Sequence, residues 1–230
     1  ISKYEKPFDS KTIAARVAKK EGVSTETILQ KWEKNKNYSC HKGSEFHLHV
    51  ENFLERRVVP IDKEAFVNFM SPKGELFPCE ESDIENYYKE MAILIRNFRN
   101  FYEWWKEDHI LIKSEFVIGD KEAMICGTID NLSYNKKTKE FVIFDYKTNK
   151  KIERKNSYGE VFLKPFDHIS KCEHTKYSFQ LSLYSLIFER NSPFKVNTSY
   201  IVWVAGENDY ELISPIDLKK EATIMLLNGK

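Results

Sequence analysis

An α/β sandwich built on a mixed sheet is the architecture to expect of this sequence, and three observations predict it. From Ile110 to Thr148 hydrophobic residues alternate with a period of two, broken by the polar turns Gly119-Asp-Lys-Glu122 and Asn135-Lys-Lys-Thr-Lys-Glu140. That pattern reads as a three-stranded antiparallel meander, Ile110 to Ile118, Ala123 to Tyr134 and Glu140 to Thr148. Before it runs a long helical stripe through Met91, Leu94, Ile95, Phe98, Phe101, Tyr102 and Trp105. After it come a helix, Tyr177 to Arg190, and an apolar strand, Asn197 to Ala205. Helix, three antiparallel strands, helix, strand makes layers of helix on a mixed sheet.

The elements follow in order. Asp9 and Ser10 read as the cap of a first helix, Lys11 to Lys20, which Gly22 ends. Ser24 caps a second, Thr25 to about Lys34, with Ile28, Leu29 and Trp32 on one side. Two short helices joined in this way suit a DNA-binding helix-turn-helix or plain packing. The second helix is not strongly basic, so residues 1–42 are read as a helical annex and 43–230 as the core. Gly43 to Arg57 reads as a helix on which His47, Glu51 and Glu55 recur every four residues and share a face. A helical insertion at about 58–109 follows: an apolar run, Ala65 to Met70, a turn at Ser71-Pro-Lys-Gly74, and a capping box, Ser82 with Glu85, opening the long helix. Past the meander, Lys147 to Lys176 holds Lys150, Lys151, Arg154, Lys155 and Lys176, interleaved with Tyr158, Phe162 and Phe166. Basic and aromatic residues together suit a groove that tracks phosphates and stacks unpaired bases, and a solvated loop is the plainer reading. A short strand near Tyr210 to Ile213 and a helix near Leu218 to Leu227 complete the chain.

Composition narrows the function classes. With 230 residues, 16 Phe, 12 Tyr, only 8 Gly and 7 Pro, the chain can bury a substantial core and is not a linker. No apolar run reaches the roughly 20 residues of a membrane span, and no signal-peptide pattern is visible. Cys40, Cys79, Cys126 and Cys172 are scattered with no CxxC, which argues against a zinc ribbon and for reduced, cytosolic thiols. A net charge of +1 argues against a general nucleic-acid coat, though a local basic patch still binds phosphate.

The chemistry concentrates in the meander. If the second hairpin is symmetric about Lys137 and Thr138, Asp130 falls opposite Asp145, with Cβ atoms roughly 5 Å apart. Two like charges there repel unless a cation lies between them. Lys147 shares a face with Asp145, because side chains alternate along a strand. Two carboxylates and an ammonium converging in apolar surroundings suggest a metal site. A surface salt bridge between Asp145 and Lys147 is the plain alternative, but it leaves Asp130 without a partner and Gly127 without a reason. Glu115 lies in the first strand. A four-residue turn at Gly119–Glu122 sets it opposite Cys126, on the face of Asp130 but some way along, and a longer turn or a bulge brings it nearer.

Taken together these residues resemble the PD-(D/E)XK nuclease superfamily, most closely its RecB-like branch with Cas4-like proteins and phage exonucleases. Gly43-Ser-Glu-Phe-His47 resembles the GxxxH helix, Gly127-Thr-Ile-Asp130 the GxxD strand, Asp145-Tyr-Lys147-Thr148 the DxKT strand, and Gln180-Leu-Ser-Leu-Tyr184 the QxxxY helix. Each motif alone is weak; four in order over about residues 43 to 205 form a strong pattern. The resemblance implies a restriction-endonuclease-like core and Mg²⁺- or Mn²⁺-dependent DNA hydrolysis, with an exonuclease favoured. Asp130, Asp145 and the Tyr146 carbonyl would be metal ligands, and His47 a further one. Lys147 would act on the attacking water, and Glu115 is a further catalytic candidate. Glu51, with Glu115, is a candidate for a supporting or second-metal role. Gln180 and Tyr184, with Lys150, Lys151, Arg154 and Lys176, would hold DNA or brace the site. The iron–sulfur branch needs a downstream cysteine cluster; here only Cys172 lies beyond the core, so no Fe–S cluster is expected. The expected partner is DNA with linear ends, joined by a helicase or recombination protein as a separate chain, in a bacterial or phage-infected cytoplasm. A nuclease-fold subunit that is active only within a larger complex, or not at all, is the rival.

Overall fold

The computed structural model describes residues 1–57, 63–70 and 79–228. The chain divides into two compact units, Pro7–Ala92 and a second made of Ile1–Lys6 with Ile93–Lys230.

The first unit is helical. α1 (Ser10–Glu21) starts where the Asp9 side chain accepts the Thr12 N–H, and ends at Gly22, whose φ of 69° suits a residue without a Cβ. α2 (Thr25–Leu54) starts at Ser24 as expected, but it is one helix of 30 residues, not two. Residue 42 therefore lies within it. No proline interrupts residues 35–43, and the buried positions Lys42, Phe46 and Val50 continue one face at intervals of four, so packing offsets the roughly 1 kcal/mol helix cost of Gly43. α1 packs on α2 through Ala14, Ala18 and Ile28. α3 (Lys63–Met70) forms from the apolar run, and its Phe66 stacks on Tyr87 at 4.0 Å. The turn expected at Ser71–Gly74 lies outside the described residues. α4 (Glu81–Asp108) begins one residue before Ser82: the cap is the Asp83 side chain accepting the Glu80 N–H at 2.9 Å. Lys34 pairs with Asp83 and Lys42 with Glu90, at 2.7 and 2.5 Å, so α2 and α4 run in the same direction there.

The second unit takes α4 from Ile93 onward and carries five strands in the order β1 (His109–Asp120), β2 (Ile125–Asn135), β3 (Glu140–Lys147), β4 (Val196–Trp203) and β5 (Glu211–Ile213). β1, β2 and β3 form the antiparallel meander, β4 joins β3 in parallel, and β5 pairs antiparallel with β4. This is the expected mixed sheet flanked by helices. The Asn135 side chain accepts the Lys137 and Thr138 N–H groups, which pins the β2–β3 turn. One face of the sheet is covered by α5 (Glu173–Asn191) and α6 (Lys219–Leu227), with Ile143, Ile201, Phe179, Ile187 and Met225 in the core. The other face meets α4, where Phe101 packs against Phe144 and Tyr146 at 5.4 and 5.8 Å. α5 starts four residues before Tyr177, because Thr175 Oγ1 accepts the Cys172 N–H and closes its first turn. No helix among the described residues is long and apolar enough to cross a membrane.

Candidate active site

The site grows from the register of β2 on β3. Asn131 pairs with Phe144 and Leu132 with Ile143, so the hairpin is centred as expected, and one more step in that register would set Asp130 against Asp145. The regular ladder stops short of them. Instead Asp130 Oδ2 accepts the Tyr146 backbone N–H at 2.7 Å. Both acids are buried, Asp130 7% and Asp145 1% exposed. Asp145 Oδ2 lies 2.6 Å from Lys147 Nζ, and Asp145 Oδ1 accepts from Gln180 Nε2 at 3.2 Å. Burial of the Lys147 ammonium works to lower its pKa, but the facing Asp145 and Asp130 carboxylates outweigh it and the pKa is raised.

Glu115 requires a correction. β1 runs on to Asp120 and the turn is shifted to Lys121–Met124, so Gly119, not Glu115, pairs with Cys126. Glu115 falls between the pairs Ser114–Asn131 and Phe116–Ile129, abreast of Asp130. A carboxylate oxygen of Glu115 lies within 4.8 Å of one of Asp130. The turn moved because Asp120 Oδ1 accepts the Ala123 N–H at 2.9 Å, a local cap that the glycine at 119 did not advertise. Glu115 has a φ of 46°, a strained conformation for a residue with a Cβ, and such strain gathers at functional positions.

α5 braces the acids from the sheet face. Gln180 Nε2 also donates to the Tyr184 hydroxyl at 3.0 Å, and burial raises the pKa of that phenol. A Cβ placed on Gly127 would lie 2.5 Å from Tyr184 Cε1, so Gly127 is the residue that lets Tyr184 approach the strand. The GxxD and QxxxY motifs are thus in contact. Tyr177, one turn before Gln180, was not anticipated: Lys147 Nζ lies 4.6 Å from its ring centroid. Its only sequence signal is the spacing of three from Gln180.

The Tyr146 side chain points to the α4 face, 1% exposed, with its hydroxyl accepting from Asn131 Nδ2 at 2.9 Å. His47 belongs to α2 in the helical unit, beside Phe46. Glu51 and Glu55 are both ion-paired with Arg57. Lys150 is exposed, while Lys151 pairs with Glu153, Arg154 with Glu211, and Lys176 with Glu5 at 2.7 Å. Phe162 and Phe166 do not stack on a ligand: they are 1% and 0% exposed and pack on Phe179. Tyr158, 93% exposed, is the aromatic of that trio left at the surface.

The donor set suits a hard divalent cation. Glu115 and Asp130 offer carboxylate oxygens at a spacing one ion spans, and Asp145 follows on the adjoining strand. Carboxylate oxygens without a thiolate pair suit a hard cation better than a soft one.

No family model matches the chain, and no curated protein matches its sequence. Among solved structures it is similar to a protein from Eubacterium rectale named "Putative exonuclease", with 13% identity and a TM-score of 0.42. The match covers 82% of this chain and 63% of that one, so the chain spans less than two thirds of that protein's length.

Proposed function

We propose that the chain is a Mg²⁺- or Mn²⁺-dependent deoxyribonuclease of the PD-(D/E)XK type, working as an exonuclease on DNA ends. One observation carries the reading. Asp130, Asp145 and Lys147, spaced as the motifs require, meet on one face of adjoining strands, with Glu115 abreast of Asp130. A protein that only bound phosphate would have no use for buried paired acids.

Phosphodiester hydrolysis needs water attacking phosphorus in line with the leaving oxygen, and relief of the charge that builds on the phosphoryl oxygens. A divalent ion bound by Asp130, Asp145 and Glu115 would supply Lewis acidity and an acidified water. Lys147 keeps its proton through its two acidic neighbours, which favours a role in orienting water and offsetting phosphate charge over one as base. Gln180 holds Asp145 Oδ1 and so leaves that carboxylate a single orientation. His47 is proposed as a further ligand.

The rival reading, a nuclease-fold subunit dependent on a larger complex, is favoured by a different observation. Lys151, Arg154 and Lys176, the expected DNA-binding cations, are each paired with an acid of the same unit. A partner chain would then supply the phosphate grip.

Digestion of end-labelled linear DNA and closed circular DNA, with Mg²⁺, Mn²⁺ or EDTA, decides between them. The proposal expects linear DNA to be degraded with metal, and neither in EDTA nor by Asp145→Ala. Cutting that persists in EDTA sinks the metal mechanism, cutting of the circle indicates an endonuclease, and Mn²⁺ binding without cutting supports the subunit.

A further inference from the structure

We propose that Tyr177 is a positioning residue for Lys147: the face of its ring holds the lysine ammonium against the Asp145 carboxylate. Lys147 Nζ is bracketed by Asp145 Oδ2 at 2.6 Å and by the Tyr177 ring centroid at 4.6 Å. A lysine side chain has four rotatable bonds, and an ion pair alone leaves much of that freedom, because Nζ can swing around one oxygen. A second attraction from another direction removes it. An aromatic face attracts a cation through its quadrupole, most strongly where water is scarce, and the Lys147 side chain is only 14% exposed.

The ring is itself held. The Tyr177 hydroxyl donates to Asn149 Oδ1 at 2.8 Å, and the Asn149 carbonyl accepts from Trp203 Nε1 at 2.7 Å. Asn149 follows Lys147 by two residues, so the end of β3, the start of α5 and the end of β4 are joined at this ring. On α5, Tyr177, Gln180 and Tyr184 stand at i, i+3 and i+7, one face of a helix. They address Lys147, Asp145 and Gly127 in turn. Plain packing is the competing explanation, since Tyr177 also borders the apolar core. A leucine would serve packing as well as a tyrosine, whereas only an aromatic face serves the ammonium.

The kinetic part of this proposal rests on the nuclease reading; the placement of Lys147 does not. The experiment therefore has two arms on wild type, Tyr177→Phe and Tyr177→Leu. In the first, without metal or DNA, acetylation of Lys147 by a water-soluble acetylating ester is timed by peptide mass spectrometry. Leu is expected to raise its rate several-fold, and Phe, which keeps the aromatic face but loses the Asn149 anchor, to raise it clearly less. In the second, Leu is expected to lower kcat on linear DNA by about tenfold with KM little changed, and Phe to restore it. If Leu lowers the melting temperature markedly, Tyr177→Met, which also lacks an aromatic face, replaces it. Unchanged Lys147 reactivity in the non-aromatic variant, or equal losses for Phe and Leu, overturns the proposal. A wild type that cuts no DNA fails the nuclease reading, while the acetylation arm still decides the role of Tyr177.

Discussion

Gly127 is a residue whose side chain is defined by what it lacks. Any Cβ there collides with the Tyr184 ring, which must then move and leave Gln180. Gly127→Ala is expected to cost about 1–3 kcal/mol of stability as an overpacked contact. Denaturant unfolding measures this, and Gly127→Ala combined with Tyr184→Leu should recover part of the loss. For Lys147→Ala the expected outcome is lost turnover with Mn²⁺ binding kept, read by kinetics beside calorimetry. Loss of binding instead would mean that Lys147 holds the acids in place. The motif residues were legible because their types and spacings are chemically demanding. Tyr177 was not, because an aromatic residue on a helix next to a core reads as packing.

Among elements, β2 and β3 owe their fit to α4 as much as to each other. A buried hydrogen-bonded chain runs from Trp105 Nε1 to Ser133 Oγ at 3.0 Å, from Ser133 to Asn131, and from Asn131 Nδ2 to the Tyr146 hydroxyl at 2.9 Å. Its members are all 5% exposed or less. Buried donors and acceptors are costly to leave unmet, so Ser133→Ala and Tyr146→Phe should each destabilise by about 1–3 kcal/mol. Thermal or urea unfolding checks this, and a change of under half that size would mean that the chain relaxes around the gap. This network was hidden in the sequence. Asn131 and Ser133 sit at alternate positions of an apparently ordinary strand, and only the long helix behind them supplies their partners.

In the whole molecule, the sheet unit carries a stability that depends on acidity. The Ala123 N–H and Arg190 hold the Asp120 carboxyl below its ordinary value of 3.8. Burial works to raise that of Glu189, but Lys219 and the Val196 N–H outweigh it and leave it below 4.5. For a carboxylate with a depressed folded pKa, the unfolded chain binds more protons in the window between the two values. The stabilisation is therefore complete above the ordinary value and is lost as pH falls through the folded one. The melting temperature should be insensitive to these groups above roughly pH 5 and fall as the solution is acidified below the ordinary values. The double variant Asp120→Asn with Glu189→Gln should show a shallower acid decline, measured by calorimetry across that range. An unchanged slope would assign acid sensitivity to other carboxylates.

Local rules were enough for much of this protein. Strand alternation, the Asn135 turn and the caps at Asp9 and Ser24 depend on neighbours in the chain, so their chemistry is written in order along it. The same holds for the spacing that fixes the register of β2 on β3 as far as Asn131 and Phe144. Packing settled what depends on residues far apart. It joined two expected helices into α2, buried Phe162 and Phe166, and paired the basic loop with distant acids. It also brought Glu115 abreast of Asp130, because strand register follows from the whole ladder and its turn rather than from any one motif.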